Sequence, residues 1–92
     1  NDAPWHVRGE FDADSGTVEY RVITRDEVGS GLFSKITGTL SAKGLQILAA
    51  NICTTADRIV IDRFRVVDAD HSNPIPDFRL REVEAAVGEV LA

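Results

Sequence analysis

Thr24-Arg25-Asp26-Glu27-Val28-Gly29-Ser30-Gly31-Leu32-Phe33 carries the chain out of a strand, through an acidic and glycine-bearing turn, and into an amphipathic helix. The rest of the sequence reads as scaffolding for that turn. A helix start gathers backbone N–H groups without partners, and these, with the helix dipole, favour a negatively charged group. Asp26 and Glu27 place carboxylates just outside that positive end. A phosphate meets repulsion there, whereas a zwitterion offers its carboxylate to the amides and its ammonium to Asp26. A free amino acid is therefore the expected ligand. Capping and turn formation alone also call for these residue types, so that plainer reading stands beside it.

On either side of the turn the periodicity is clear. Trp5, Val7, Gly9 and Phe11 alternate with His6, Arg8 and Glu10, the period of a half-buried strand. Asp12-Ala13-Asp14-Ser15-Gly16 is rich in turn formers, and residues 17–24 alternate again, which predicts an antiparallel hairpin. Beyond the turn, Leu32, Phe33, Ile36 and Leu40 recur at helical spacing and predict a helix over 32–43, with Ser30 as N-cap and Gly44 as the left-handed stop. Gly38 in its middle is either a tolerated glycine or a point of close approach to a strand.

Residues 46–54 and 58–68 read as two further strands joined at Thr55-Ala56-Asp57. In the second, Val60, Asp62, Phe64 and Val66 share one face. The opposite sheet face, carrying Ile47, Ala49, Ile59 and Ile61, is more apolar than solvent requires and points to a partner surface. After a polar loop over 70–76, Asp77 is the expected cap of a last helix whose apolar stripe is Leu80, Val83, Val87, Val90 and Leu91.

The order β-β-α-β-β-α, with two helices on one face of a four-stranded antiparallel sheet, gives an α+β two-layer sandwich of the ferredoxin-like type. The usual final strand is missing, and the N-terminal strand is expected to fill its slot, giving a permuted sheet.

Composition narrows the function. The chain has 92 residues, which suit one small domain, and it begins at Asn1, as an excised piece of a longer protein would. Its net charge of −5 argues against nucleic-acid binding, because that affinity rests on Lys and Arg neutralising phosphates. No apolar run approaches the roughly 20 residues of a bilayer span, so no membrane contact is expected. The lone Cys53 has no internal partner and reads as a buried or half-buried residue in a reducing, cytoplasmic setting. His6 and His71 lack metal-ligand spacing, and no metal or cofactor is expected.

From Thr17 to Leu91 the sequence resembles an ACT domain, and most of all the regulatory ACT domains of bacterial PII-uridylyltransferases, the glutamine-sensing enzymes of nitrogen control. The resemblance rests on Asp26…Gly31-Leu32-Phe33-Ser34-Lys35-Ile36, on Gly44-Leu45-Gln46-Ile47-Leu48 with Ala50 and Ile52, and on Thr54-Thr55-Ala56-Asp57. It also rests on Ile61-Asp62-Arg63-Phe64-Arg65-Val66-Val67-Asp68, which matches the family's Asp-x-Phe-x-Val strand. The turn is two residues longer than the family's Asp-Arg-Pro-Gly-Leu-Phe and lacks its proline, and Gln46 stands where asparagine is frequent.

The resemblance implies a regulatory domain that dimerises, or pairs with another ACT domain, and binds an amino acid, glutamine, between the turn of one subunit and the strand edge of the other. Asp26 would hold the ammonium, the Gly29, Gly31 and Leu32 amides the carboxylate, with Ser30 in the same turn, and Gln46 or Asn51 a side-chain amide. The alternative is a ligand-free interaction module.

An enzyme is not expected in these residues, although the parent would be a nucleotidyltransferase. Acylphosphatases share the fold but need an arginine-bearing phosphate loop where this turn is acidic. No dinucleotide or P-loop pattern is complete, and no Ser, His and Asp are placed as a triad. RNA readout on this topology needs stacking aromatics on the strand over 58–68, which has only Phe64.

Overall fold

A computed structural model of the chain describes residues 5–25 and 31–92. Six elements follow one another: β1 (His6–Asp12), β2 (Thr17–Arg25), α1 (Leu32–Ala42), β3 (Leu45–Thr54), β4 (Ile59–Asp68) and α2 (Asp77–Leu91). The strands form one antiparallel sheet in the order β1-β2-β4-β3. This is the ferredoxin-like α+β sandwich in permuted form, with β1 lying beside β2 in the slot that the last strand takes in the usual order.

The β1–β2 turn forms as its residue types dictate. The Asp12 carboxylate accepts from the Asp14 N–H and the Ser15 hydroxyl, and Gly16 closes the turn at φ 71°. Alternation then sends Val7, Val18, Tyr20, Val22, Phe64 and Val66 inward, where they meet Ile36 and Leu40 of α1 and Leu80, Val83 and Val87 of α2. Val90 and Leu91 are half-buried at the fraying end of the α2 stripe. Of the four apolar α1 positions, Ile36 and Leu40 are fully buried, whereas Phe33 remains 39% exposed. Gly44, at φ 81°, ends α1. A Cβ at Gly38 would meet nothing within 4 Å, so that glycine makes no close approach to a strand.

The structure corrects four expectations. Leu48 is a bulge: Ile47 pairs with Val66 and Ala49 with Arg65, so the alternation slips by one residue. Ile47 therefore lies on the helix face, half-buried against the core, and Ala49 on the other. Cys53 is exposed, because it sits on the outer face of an edge strand. Asp77 is the first helical residue and not the cap; Pro76, in extended conformation, is the N-cap and no side chain caps it. Arg58 adopts φ 66° in the β3–β4 turn, and β4 starts one residue later. The expected cap Ser30 lies outside the described residues.

The two sheet edges differ. On β1, the Gly9 N–H donates to Glu84 Oε2 at 2.7 Å and the Gly9 carbonyl accepts from Arg81 Nη2 at 2.8 Å. Two side chains of α2 thus satisfy the outward-facing backbone of β1 at its midpoint. β3, at the other edge, is exposed from Leu48 to Thr54.

Candidate functional site

The two ends of α1 are held in opposite ways. At its C-terminal end, Arg79 of α2 donates to the Lys43 carbonyl and, through Nε, to Asp68 Oδ2 at 2.8 Å. Asp68 Oδ1 in turn accepts from the Asp70 and His71 N–H groups and lies 3.3 Å from His71 Nδ1. Burial raises the Asp68 carboxyl, but Arg79 and these donors outweigh it and leave it below the usual carboxylate range. Arg79 is itself 5% exposed, so α1, β4 and α2 are locked together there by a buried ion pair.

At the N-terminal end, Gly31 is the N-cap at φ 85°, with no side-chain cap and no acidic residue in the first turn. The first-turn amides of Leu32, Phe33 and Ser34 therefore lack an intrahelical partner. Phe33 lies against Phe64, with ring centroids 5.6 Å apart, and two positions along the inner face of β4 from Phe64 is Asp62. Asp62 is 4% exposed, pairs in register with Val22 and Ile52, and its Oδ1 has no hydrogen-bond partner. Burial pushes its carboxyl above the ordinary range. Phe33 at 39% and Ile52 at 55% are large apolar side chains left open on this side of the sheet. Among the described residues, the corner combines helix-start amides with no side-chain cap, a buried carboxyl with an unpartnered oxygen, and apolar surface, a set that can receive a small zwitterion with an apolar portion.

Of the residues expected to bind ligand, Asp26, Gly29 and Ser30 lie outside the described residues. Gly31 and Leu32 stand at the uncapped start of α1. Gln46 and Asn51 do not join them within one chain. Both lie on the outer face of the sheet, opposite Val67 and Arg63, with the sheet between them and the helices. They share that face only because of the bulge, since an even and an odd position in a regular strand point opposite ways. Asp62 was missed as a site residue. Its signal was present in the sequence as a carboxylate in phase with Val60, Phe64 and Val66.

Among the described residues no group of His, Cys, Asp and Glu is arranged to hold a metal ion, and no helix is long and apolar enough to cross a membrane. The chain is similar to part of a protein named GTP pyrophosphokinase from Myxococcus xanthus, at 39% identity over 69 residues. The match takes in 75% of this chain and 8% of that relative, so the chain spans a small fraction of the relative's length. No family model and no solved structure matches.

Proposed function

We propose that the chain is an ACT-type regulatory domain of a larger nucleotide-handling enzyme and that it senses a free amino acid at the corner between α1 and β3. The observations that carry this reading are a helix start at Gly31 with no side-chain cap among the described residues and a buried Asp62 carboxyl, its Oδ1 unpartnered, two positions along β4 from the Phe64 that Phe33 packs against. The helix amides take the ligand carboxylate, and Asp62, with Asp26 of the preceding turn, takes the ammonium. Glutamine is the first candidate, from the resemblance of the strand and turn motifs to glutamine-sensing domains. The relative found by comparison is a GTP pyrophosphokinase and not a uridylyltransferase, so the parent we favour is of the pyrophosphokinase kind. A ligand acts on such a parent only through its differential affinity for two packing states.

A second reading, a ligand-free association module, is favoured by the unequal edges. β1 is closed at Gly9 by Arg81 and Glu84, whereas β3 presents open backbone beside Leu48 and Ile52, which are 51% and 55% exposed. A second copy pairing along β3 would cover both and would bring Gln46 and Asn51 of one copy toward the other.

Thermal unfolding of the chain with each of the twenty amino acids separates the two. At a ligand concentration of about a hundred dissociation constants, stabilisation is about 2.7 kcal/mol, on the order of 10 °C or more for a domain of this size. A selective shift that Asp62→Asn abolishes supports the sensor. No shift with any amino acid, in folded and dimeric protein, leaves the association module.

A further inference from the structure

The outer face of the sheet, away from the helices, carries charges that the fold does not require. Arg8, Arg21 and Arg63 are direct register partners across β1, β2 and β4, three guanidinium side chains in one row. Like charges directly opposite on a sheet repel, and cross-strand pairs are normally chosen to avoid this. The neighbouring row holds Glu10, Glu19 and Arg65. Arg65 donates to Thr17 Oγ1 at 2.7 Å and has Asp12 at 3.7 Å and Glu19 at 4.0 Å; Glu19 is also 3.8 Å from Arg21. Among the described residues, neither Arg8 nor Arg63 has a carboxylate within ion-pair distance. In a chain of net charge −5, Arg8, Arg21, Arg63 and Arg65 thus gather on one face.

This face also has a concavity. A groove of about 260 Å³ is lined by Glu19, Ala49, Ala50, Asn51, Arg63 and Arg65. The Leu48 bulge makes it, by turning the small Ala49 and the amide of Asn51 outward beside the two arginines of β4. Arg63 and Arg65 are two residues apart on one strand and so stand on the same face, about 7 Å apart along it. Two planar guanidinium forks at that spacing suit two linked, multiply charged oxyanions, with Asn51 as a further donor. Among the described residues, no outward strand position carries a Phe, Tyr or Trp on which a base would stack, which disfavours a nucleic-acid strand.

We infer that the Arg63–Arg65–Asn51 groove on the outer sheet face is a binding site for a diphosphate group, separate from the corner at the start of α1. The diphosphate spans the two guanidinium groups, and Arg21 adds charge from the next strand. Glu19 opposes it by holding Arg65, so ligand and Glu19 compete for the same fork.

The test is titration of the chain with inorganic pyrophosphate at low salt, read by calorimetry and by amide chemical shifts. Saturable binding that moves the amides of Ala49, Asn51, Arg63 and Arg65 is expected. Arg63→Gln should weaken it at least tenfold and Glu19→Gln should tighten it severalfold, whereas Lys35→Gln, the same charge loss on the helix layer, should change it less than twofold. GDP in place of pyrophosphate identifies the source: equal affinity marks the diphosphate alone as the recognised group, and tighter binding marks a nucleotide. The inference is overturned if pyrophosphate moves no outer-face amide at millimolar concentration, or if Lys35→Gln weakens binding as much as Arg63→Gln. Binding of an RNA oligonucleotide without binding of pyrophosphate overturns it as well.

Discussion

Replacing Gly9 by alanine tests the packing on which the unequal edges depend. A Cβ at this position would lie 2.4 Å from Tyr20 Cε1 and 2.9 Å from Cδ1 and Cζ. Tyr20 is 1% exposed, its hydroxyl faces the Leu80 carbonyl, and its ring lies between the sheet and α2, so it has nowhere to withdraw. Overpacking of a filled core costs about 1–3 kcal/mol. Loss of glycine freedom in the unfolded chain returns about 0.4–1 kcal/mol. The same displacement pushes the Gly9 backbone away from Arg81 and Glu84, which adds about 0.5–1.5 kcal/mol for each hydrogen bond weakened.

With both hydrogen bonds weakened, the net expectation is a loss of about 1–5 kcal/mol, or at least about 4 °C in melting temperature for a domain of this size. Chemical denaturation gives the free energy and a melting curve the shift. Tyr20→Leu, which removes the ring from the path of the new methyl, supplies the second arm: Gly9→Ala should cost much less in that background than in the parent. A shift below about 2 °C, or an equal cost in both backgrounds, would refute the account of Gly9 as a contact that only hydrogen can fill.

Other outcomes follow from the charged groups and from the helices. Asp62 is held above its ordinary value of 3.8 by burial, so folding is penalised as it ionises; the penalty is absent below that value and complete above the folded one. Asp62→Asn should therefore gain stability relative to the parent as pH rises from about 4, and parallel pH–stability curves would contradict this. Asp68 has the opposite sign. Its carboxyl is held low, so its contribution is present above 3.8 and lost as pH falls through the folded value. Arg79→Met leaves that buried carboxylate uncompensated and should cost about 3–5 kcal/mol, part of which Asp68→Asn in the same chain should recover, as denaturant titration would show. Gly38→Ala, in open space mid-helix, should stabilise by about 0.5–1 kcal/mol in the same assay. Should copies pair along β3 as proposed, Ile52→Glu on the open edge removes that association in sedimentation while leaving the monomer folded, and association unchanged by it would rule out that edge.

The element order, the permuted sheet and most of the core were legible because they rest on period and on turn chemistry. Gly16 and Gly44 adopt the left-handed conformation that their positions required, and Val18, Tyr20 and Val22 are buried as their alternation implied. The bulge at Leu48 was not legible. Leu45 through Ile52 is apolar at nearly every position, so neither face is marked, and a one-residue slip leaves no trace in the pattern. That slip moved Ile47 inward and turned Ala49 and Asn51 outward. The exposure of Cys53 was hidden for a related reason, since composition does not say which strand lies at the edge. The locks to α2 escaped as well, because Arg79, Arg81 and Glu84 act across more than ten and up to 75 residues of sequence, where no local pattern operates. Of the site, the helix start was readable and its buried carboxyl was seen only as a face-sharing residue.

The position of α1 gives the proposed sensing a physical route. Its C-terminal end is bound through Arg79 to β4 and α2, whereas its first turn rests on Phe33 against Phe64 and, among the described residues, has no side-chain cap. A helix fixed at one end and open at the other moves by pivoting about the fixed end, so free energy supplied at its start is expressed largely as displacement of its first turn. Ile52, exposed on the unpaired β3 edge, is the register partner of Asp62 on the same inner face of the sheet. A ligand that neutralises Asp62 and fills the amides of Leu32, Phe33 and Ser34 therefore acts beside the surface available for association. Binding and edge pairing become linked equilibria, each changing the other by the same factor. Measured together, ligand affinity should rise with protein concentration if pairing completes the site, and an affinity independent of concentration would separate the corner from the edge.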